Sequence, residues 1–266
     1  MLIDTGLPVS LAMLDGIFKM PDAAELARVS FRWFHFIAGV TWIGLLYFFN
    51  LVNVPLQKTL DADTKKKVNP DLLGRALWFF RWGAVITVLA GLGYFAMYIL
   101  KTDVNNANTL GGGKVNVWLV LLYWLGYPIL LFLIQFLIIK KVPALIKDGR
   151  VFAIVMIILT GVFTFGLLKF FPAILTAGGA DYASNKTLSI GVGGAYGILM
   201  MLNVWGIIWP ANKRILAGLQ GGPPAAPELA RQAFVASRTN AWLSLPMLLL
   251  MATSHGDWLI FSGRVG

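Results

Sequence analysis

The sequence contains no cysteine. That excludes disulfides, thiolate-held metals, iron–sulfur clusters, thiol nucleophiles and covalently attached c-type haem. Charge is also scarce, at 13% of residues, against about 25% in a soluble domain. Histidine is almost absent, with only His35 and His255 present. Apart from Asp257 near the outer end of the last, no Asp or Glu lies within the long apolar runs, so no carboxylate relay of a proton-coupled pump is apparent. There is no glycine-rich nucleotide loop, no run of metal ligands and no Ser/His/Asp pattern. The first residues lack a basic start and carry Asp4 and Asp15, so no cleavable signal peptide is expected.

What remains is hydrophobic. Apolar residues make up 58% of the 266-residue chain and the mean hydropathy is +0.74. This composition predicts an all-α, polytopic transmembrane helix bundle in a lipid bilayer. A helix needs about 20 apolar residues to cross the hydrocarbon core. Six stretches meet that length, at 31–54, 76–100, 115–139, 151–176, 188–209 and 239–261. Residues 31–262 form one bundle on this reading, and residues 1–30 an N-terminal interfacial segment, with a short amphipathic helix over 7–20 or an ordinary ordered tail. The loops after spans one, three and five carry most of the Lys and Arg, and those after spans two and four are rich in Asn and Gly. The positive-inside rule then puts both chain ends outside. The net charge of +10 reflects loop charges that set topology, so no nucleic-acid partner is expected.

Trp33, Trp78, Trp82, Trp118, Trp209 and Trp258 fall close to span ends, where interfacial aromatics belong. Gly193 with Gly197, Gly91 with Gly93, and Gly39 with Gly44 are candidate close-packing pairs. Arg81 is expected to snorkel from the inner end of span two. Asn50, Asn203 and Asn240 all fall toward the inner leaflet, where they can join one interhelical cluster. Gln135 has no evident partner in the sequence. Pro227 and Glu228 read as a helix restart after the Pro/Gly-rich stretch 217–232.

The topology brings the two histidines to one level. Span one runs inward with His35 near its outer end, and span six runs outward with His255 near its outer end. Two helices bearing histidines at one depth are the usual way to hold a b-type haem. On that reading His35 and His255 bind the cofactor and ligate its iron, and Trp33, Phe34 and Phe36 suit a porphyrin face. The other readings are a single-histidine site, or no cofactor, with His35 hydrogen-bonded to a neighbouring helix and His255 at a helix end. Lys169 in span four is a candidate for binding an anionic substrate; the alternative is that it reaches the head groups. No catalytic residue is assigned.

Three segments resemble the membrane domain of the bacterial cytochrome-linked urate oxidase (urate hydroxylase) family. They are RWFHFIAGVTWIG at 32–44, NVWGIIWPANKR at 203–214 and NAWLSLPMLLLMATSHG at 240–256, with a weaker match in LWFFRWGAV at 77–85. The resemblance implies a multi-span domain in the bacterial cytoplasmic (inner) membrane that oxidises urate and passes electrons to a periplasmic cytochrome c. It places His35 and His255 on histidines of the family pattern, and Asn203, Pro210 and Pro246 on further family positions. The sequence also departs from that pattern. Trp78, Gly83, Gly191 and Thr239 stand where the family carries titratable groups, the loop after span one is lysine-rich without histidine, and no CxxCH is present. The chain ends soon after the sixth span, so no cytochrome domain or further anchor helix is expected within it.

Two classes of function follow. One is a membrane-bound oxidoreductase of the urate oxidase type, passing electrons to a separate periplasmic cytochrome c. The other is a non-catalytic subunit of a larger respiratory or photosynthetic membrane complex. A small-molecule transporter is a third reading, supported only by Lys169 and the prolines within spans.

Overall fold

The computed structural model describes residues 21–255 together with Ile260 and Phe261. The expected interfacial helix at 7–20 and the belt residue Trp258 lie outside the described residues. Six long helical runs form the fold: α1 (Ala23–Thr59), α2 (Ala62–Thr109), α3 (Val117–Lys141), α4 (Gly149–Leu175), α5 (Asn185–Leu219) and α6 (Pro227–Thr253). The chain is thus an all-α bundle. Its first five helices are long and apolar enough to cross a membrane. The sixth, whose first turns carry Glu228 and Arg231, packs along α5. Pro227 opens α6 at the restart expected from the sequence.

The helices outrun the apolar spans. The lysine-rich stretch expected as a loop after span one is mostly helix. Asp61 caps it by accepting from the backbone N–H of Asp63 and Thr64, both at 2.9 Å, which satisfies donors a helix start leaves open. Gln57 and Asn69 then exchange two amide hydrogen bonds of 2.9 Å, tying α1 to α2 at the lysine-rich end. The stretch after span two is likewise helical to Thr109. Between α4 and α5 a two-residue hairpin forms, β1 (Thr176–Ala177) with β2 (Ala180–Asp181). Its turn uses Gly178 and Gly179 at φ +56° and +80°, a left-handed pair that side chains beyond Gly resist.

Helix α5 is the central stave. Inside the bundle lie 67% of the residues of its apolar window, against 22% for α1 and for α4. Small residues explain how it sits there. A Cβ on Gly193 would lie 3.1 Å from the Leu250 Cβ of α6, and one on Gly197 would lie 3.6 Å from the Met247 sulfur. The backbones of α5 and α6 therefore approach closely along the expected small-residue pair. Helix α1 packs along α2 in the same way, with Gly83 against the Ala38 carbonyl and Trp42.

Three of the runs contain wide π turns, Phe48–Asn53, Phe95–Leu100 and Val204–Ile208. Beside the last, Asn203 donates to Asn240 at 2.9 Å and to Gln135 at 3.2 Å, and Asn240 donates to the Met200 carbonyl. Gln135 is thus a member of the asparagine cluster. Asn50 is not: its amide donates to the Leu46 carbonyl and the Ser237 hydroxyl, both at 2.9 Å.

Candidate functional site

His35 points from α1 toward α2, and its ring is seated by what Gly91 lacks. A Cβ at Gly91 would lie 2.7 Å from His35 Nδ1 and 2.8 Å from Cε1, so only glycine leaves room for the imidazole. In that seat Nδ1 is 2.8 Å from the Thr87 carbonyl oxygen. A carbonyl only accepts, so Nδ1 carries the proton and Nε2 keeps its lone pair. Thr87 is fixed in turn, because its hydroxyl donates to the Gly83 carbonyl at 2.7 Å.

His255 follows the end of α6, which stops at Thr253 and so falls short of the expected 261. Two contacts anchor this end. Asn185 donates to the Thr253 carbonyl at 3.0 Å, and the Ser254 hydroxyl donates to the Met251 carbonyl at 2.7 Å. With its proton used there, the Ser254 oxygen accepts from His255 Nδ1–H, also at 2.7 Å. The lone pair again falls on Nε2, which faces the Tyr94 hydroxyl at 3.4 Å. Burial, then the charges of Arg32 and Lys186, hold the His255 pKa below the usual histidine value. Arg32 lies over the Tyr94 ring, 5.8 Å from its centre.

Both histidines line one cavity of about 660 Å³, within the usual range of small-molecule sites. It lies between the α1–α2 pair and the α5–α6 pair and is lined mainly by carbon. Along α2, the His35 anchors are Thr87 and Gly91 and the His255 contact is Tyr94. At 1.5 Å per residue these points span about 4.5 to 10.5 Å of the helix axis, so the two rings share one end of the cavity. Gly44 belongs to this space rather than to a helix contact: a Cβ there would meet nothing within 4 Å. The deeper end is marked by Tyr47, whose hydroxyl bonds the Ser244 hydroxyl at 2.9 Å. Val40 also lines the cavity yet is 74% exposed, so the space opens sideways between α1 and α6.

Lys169 is not part of this space. It is exposed on α4, and its ammonium lies 5.6 Å from the Phe165 ring centre. The positions that depart from the family pattern also lie off the cavity lining. Trp78 is exposed, and Gly83 packs against α1. The Gly191 carbonyl accepts from the Trp124 indole, and Thr239 bonds the Val235 carbonyl. Among the described residues, no three His, Asp or Glu side chains gather as a metal site.

As site residues, the sequence reading missed Arg32, Thr87, Gly91 (read only as a close-packing glycine with Gly93) and Tyr94. The last three follow one another at four and three residues along α2, the spacing of a single helix face, and that pattern was the available signal.

The fold and site define a polytopic helical membrane protein with a histidine-bearing cavity between its first and last helices. The family model described as urate oxidase N-terminal matches residues 21–263, and the chain belongs to that family. Among curated proteins and among solved structures, nothing matches the chain. Apart from Tyr47, the residues that α1 and the α6 end supply to the cavity, both histidines included, come from the segments at 32–44 and 240–256 that carry the resemblance.

Proposed function

We propose that the chain is a membrane-bound redox protein of the urate oxidase type, with the histidine-bearing cavity as its reactive centre. The group this reading places there is a b-type haem, which would supply a one-electron couple when bound. His35 and His255 would hold its iron through Nε2. The observation carrying this reading is that both imidazoles line one cavity with Nδ1 tied back and Nε2 carrying the lone pair. A ligating histidine is normally oriented by such a bond from its other nitrogen. Gly44 leaves open space on the cavity wall, where a Cβ would meet nothing within 4 Å. Arg32 at the mouth offers a cation to the carboxylates of a porphyrin. With the histidines at the end that loop charge assigns to the outside, a periplasmic cytochrome c is the electron acceptor within reach.

The test is the visible spectrum of the purified protein. A reducible Soret band, lost in His35→Ala, is the expected result, and a colourless protein supplied with haem during expression would refute it. Urate-dependent reduction of added cytochrome c tests the inherited substrate, and little or none is expected. General acid–base chemistry needs a titratable group near the reacting proton, and among the described residues the titratable groups lining the cavity are the two histidines, Arg32 and two tyrosines.

A second reading, a non-catalytic subunit of a larger membrane complex, is favoured by the packing roles of Gly83, Gly191 and Thr239. It calls for a colourless protein that co-purifies stoichiometrically with other membrane subunits.

A further inference from the structure

Arg81 occupies an unusual place. It lies on α2 six residues beyond Arg75, about 9 Å further along the helix axis, inside the apolar stretch at 76–100. A side chain free to snorkel would reach back toward the lysine-rich end. Arg81 reaches that way along the face of α5, its guanidinium 3.9 Å from the Trp209 ring centre and 5.7 Å from that of Trp205, which lies one turn further from the lysine-rich end. The Trp205 indole donates to the Arg81 carbonyl at 3.2 Å, which locks the two helices together at this point. The side chain is half-buried, and its Nε–H is fully buried without a hydrogen-bond partner among the described residues.

Among the described residues, the helix stretches packed around it carry no carboxylate. The apolar stretch of α2 and the whole of α5 contain no Asp or Glu, and the only one in α1 is Glu25, at the opposite end of that helix. A second cation, Lys213, is exposed one turn beyond Trp209, on the same helix face by its spacing. On the lipid side, Trp82 is 40% exposed and meets Trp205 edge-on at 5.4 Å. The site therefore presents a planar cation braced by aromatic rings, at the depth of an interfacial aromatic belt. A guanidinium in this setting matches the paired oxygens of a phosphate. Basic sites between helices on the positively charged side of a membrane protein bind anionic head groups.

We propose that Arg81, braced by Trp205 and Trp209 and assisted by Lys213, binds the phosphate of an anionic phospholipid between α2 and α5. The lipid, rather than free phosphate, is the occupant because the site lies within an apolar span beside exposed tryptophans. This site is separate from the histidine cavity and does not rest on the haem reading.

The test compares the full chain in neutral detergent with added phosphatidylglycerol or phosphatidylcholine, read by native mass spectrometry and by thermal unfolding. The wild type is expected to retain one phosphatidylglycerol at lipid levels where phosphatidylcholine is lost, and to unfold at a higher temperature with the anionic lipid. Arg81→Gln is expected to weaken that binding at least tenfold. Arg81→Lys keeps the charge but loses the planar fork and is expected to fall between the two. It carries the test should Arg81→Gln fail to fold. Lys66→Gln, on the lysine-rich helix, is expected to bind like the wild type. The proposal is overturned if the wild type does not distinguish the two lipids. It is also overturned if Arg81→Lys, or a folded Arg81→Gln, binds phosphatidylglycerol like the wild type, or if inorganic phosphate displaces the lipid.

Discussion

The Gly91→Ala substitution separates the site from the stability of the fold. The added methyl carbon would lie 2.7 Å from His35 Nδ1. Nonbonded heavy atoms settle at about 3.5–4.0 Å, so the ring must retreat by roughly 1 Å. That carries Nδ1, now 2.8 Å from the Thr87 carbonyl, to the limit of hydrogen bonding or beyond it. An interhelical bond within a membrane contributes about 0.6 kcal/mol, and exchanging Gly for Ala in a helix returns about 1 kcal/mol. The two effects nearly cancel, and the unfolding temperature should move by only a few degrees. The ligand geometry has no such compensation. Loss of the bond that orients a ligating histidine typically costs 10- to 100-fold in affinity. Haem titration followed at the Soret band, alongside thermal unfolding in the same detergent, reads both quantities. Gly39→Ala is the control, because its Cβ would meet Thr87 at an ordinary 3.6 Å. A Gly91→Ala protein that binds haem with unchanged affinity and spectrum would refute the claim that Gly91 seats the imidazole.

Further outcomes follow from the same geometry. Gly44→Phe places a ring in the cavity with no clash at its Cβ, so the protein should fold normally and lose haem binding, as a titration would reveal. Asn203→Ala should destabilise by about 1 kcal/mol and leave any cavity spectrum unchanged, and a double-mutant cycle with Asn240→Ala should be non-additive because the two amides share a bond. Lys169→Gln should alter neither spectrum nor haem affinity, since the ammonium lies outside the cavity. Because the folded-state pKa of His255 is depressed, the unfolded chain takes up this proton first as pH falls through about 6.5. The histidine should therefore make stability fall below that pH until the folded protein is itself protonated, and add no slope above it. Comparison of wild type and His255→Gln in pH-dependent unfolding isolates this contribution.

The bundle was legible because apolar length and loop charge are properties of sequence alone. Helix ends were less so. The lysine-rich stretch reads as a loop by composition, yet Asp61 caps it and the Gln57–Asn69 pair holds it against α1, a contact twelve residues apart. The asparagine cluster was legible as a depth but not as a partnership. Which face each amide takes depends on helix rotation, and that rotation joined Gln135 to Asn203 and sent Asn50 to Ser237. The two histidines could be brought to one level by counting turns. Their partners could not, because Thr87 contributes a backbone carbonyl and Gly91 contributes only the absence of a side chain. Arg81 was read as snorkelling toward the lysine-rich end; the aromatic surface that α5 places along its path was not legible, because it depends on which helix packs beside it.

The most direct measurement is the electron paramagnetic resonance spectrum of the oxidised, haem-supplied protein and of its His35→Ala and His255→Ala variants. Two imidazoles on one iron predict a low-spin ferric signal in the wild type and its loss in either variant. A low-spin signal that survives removal of one histidine, or no ferric signal from the folded wild type, would contradict the shared site.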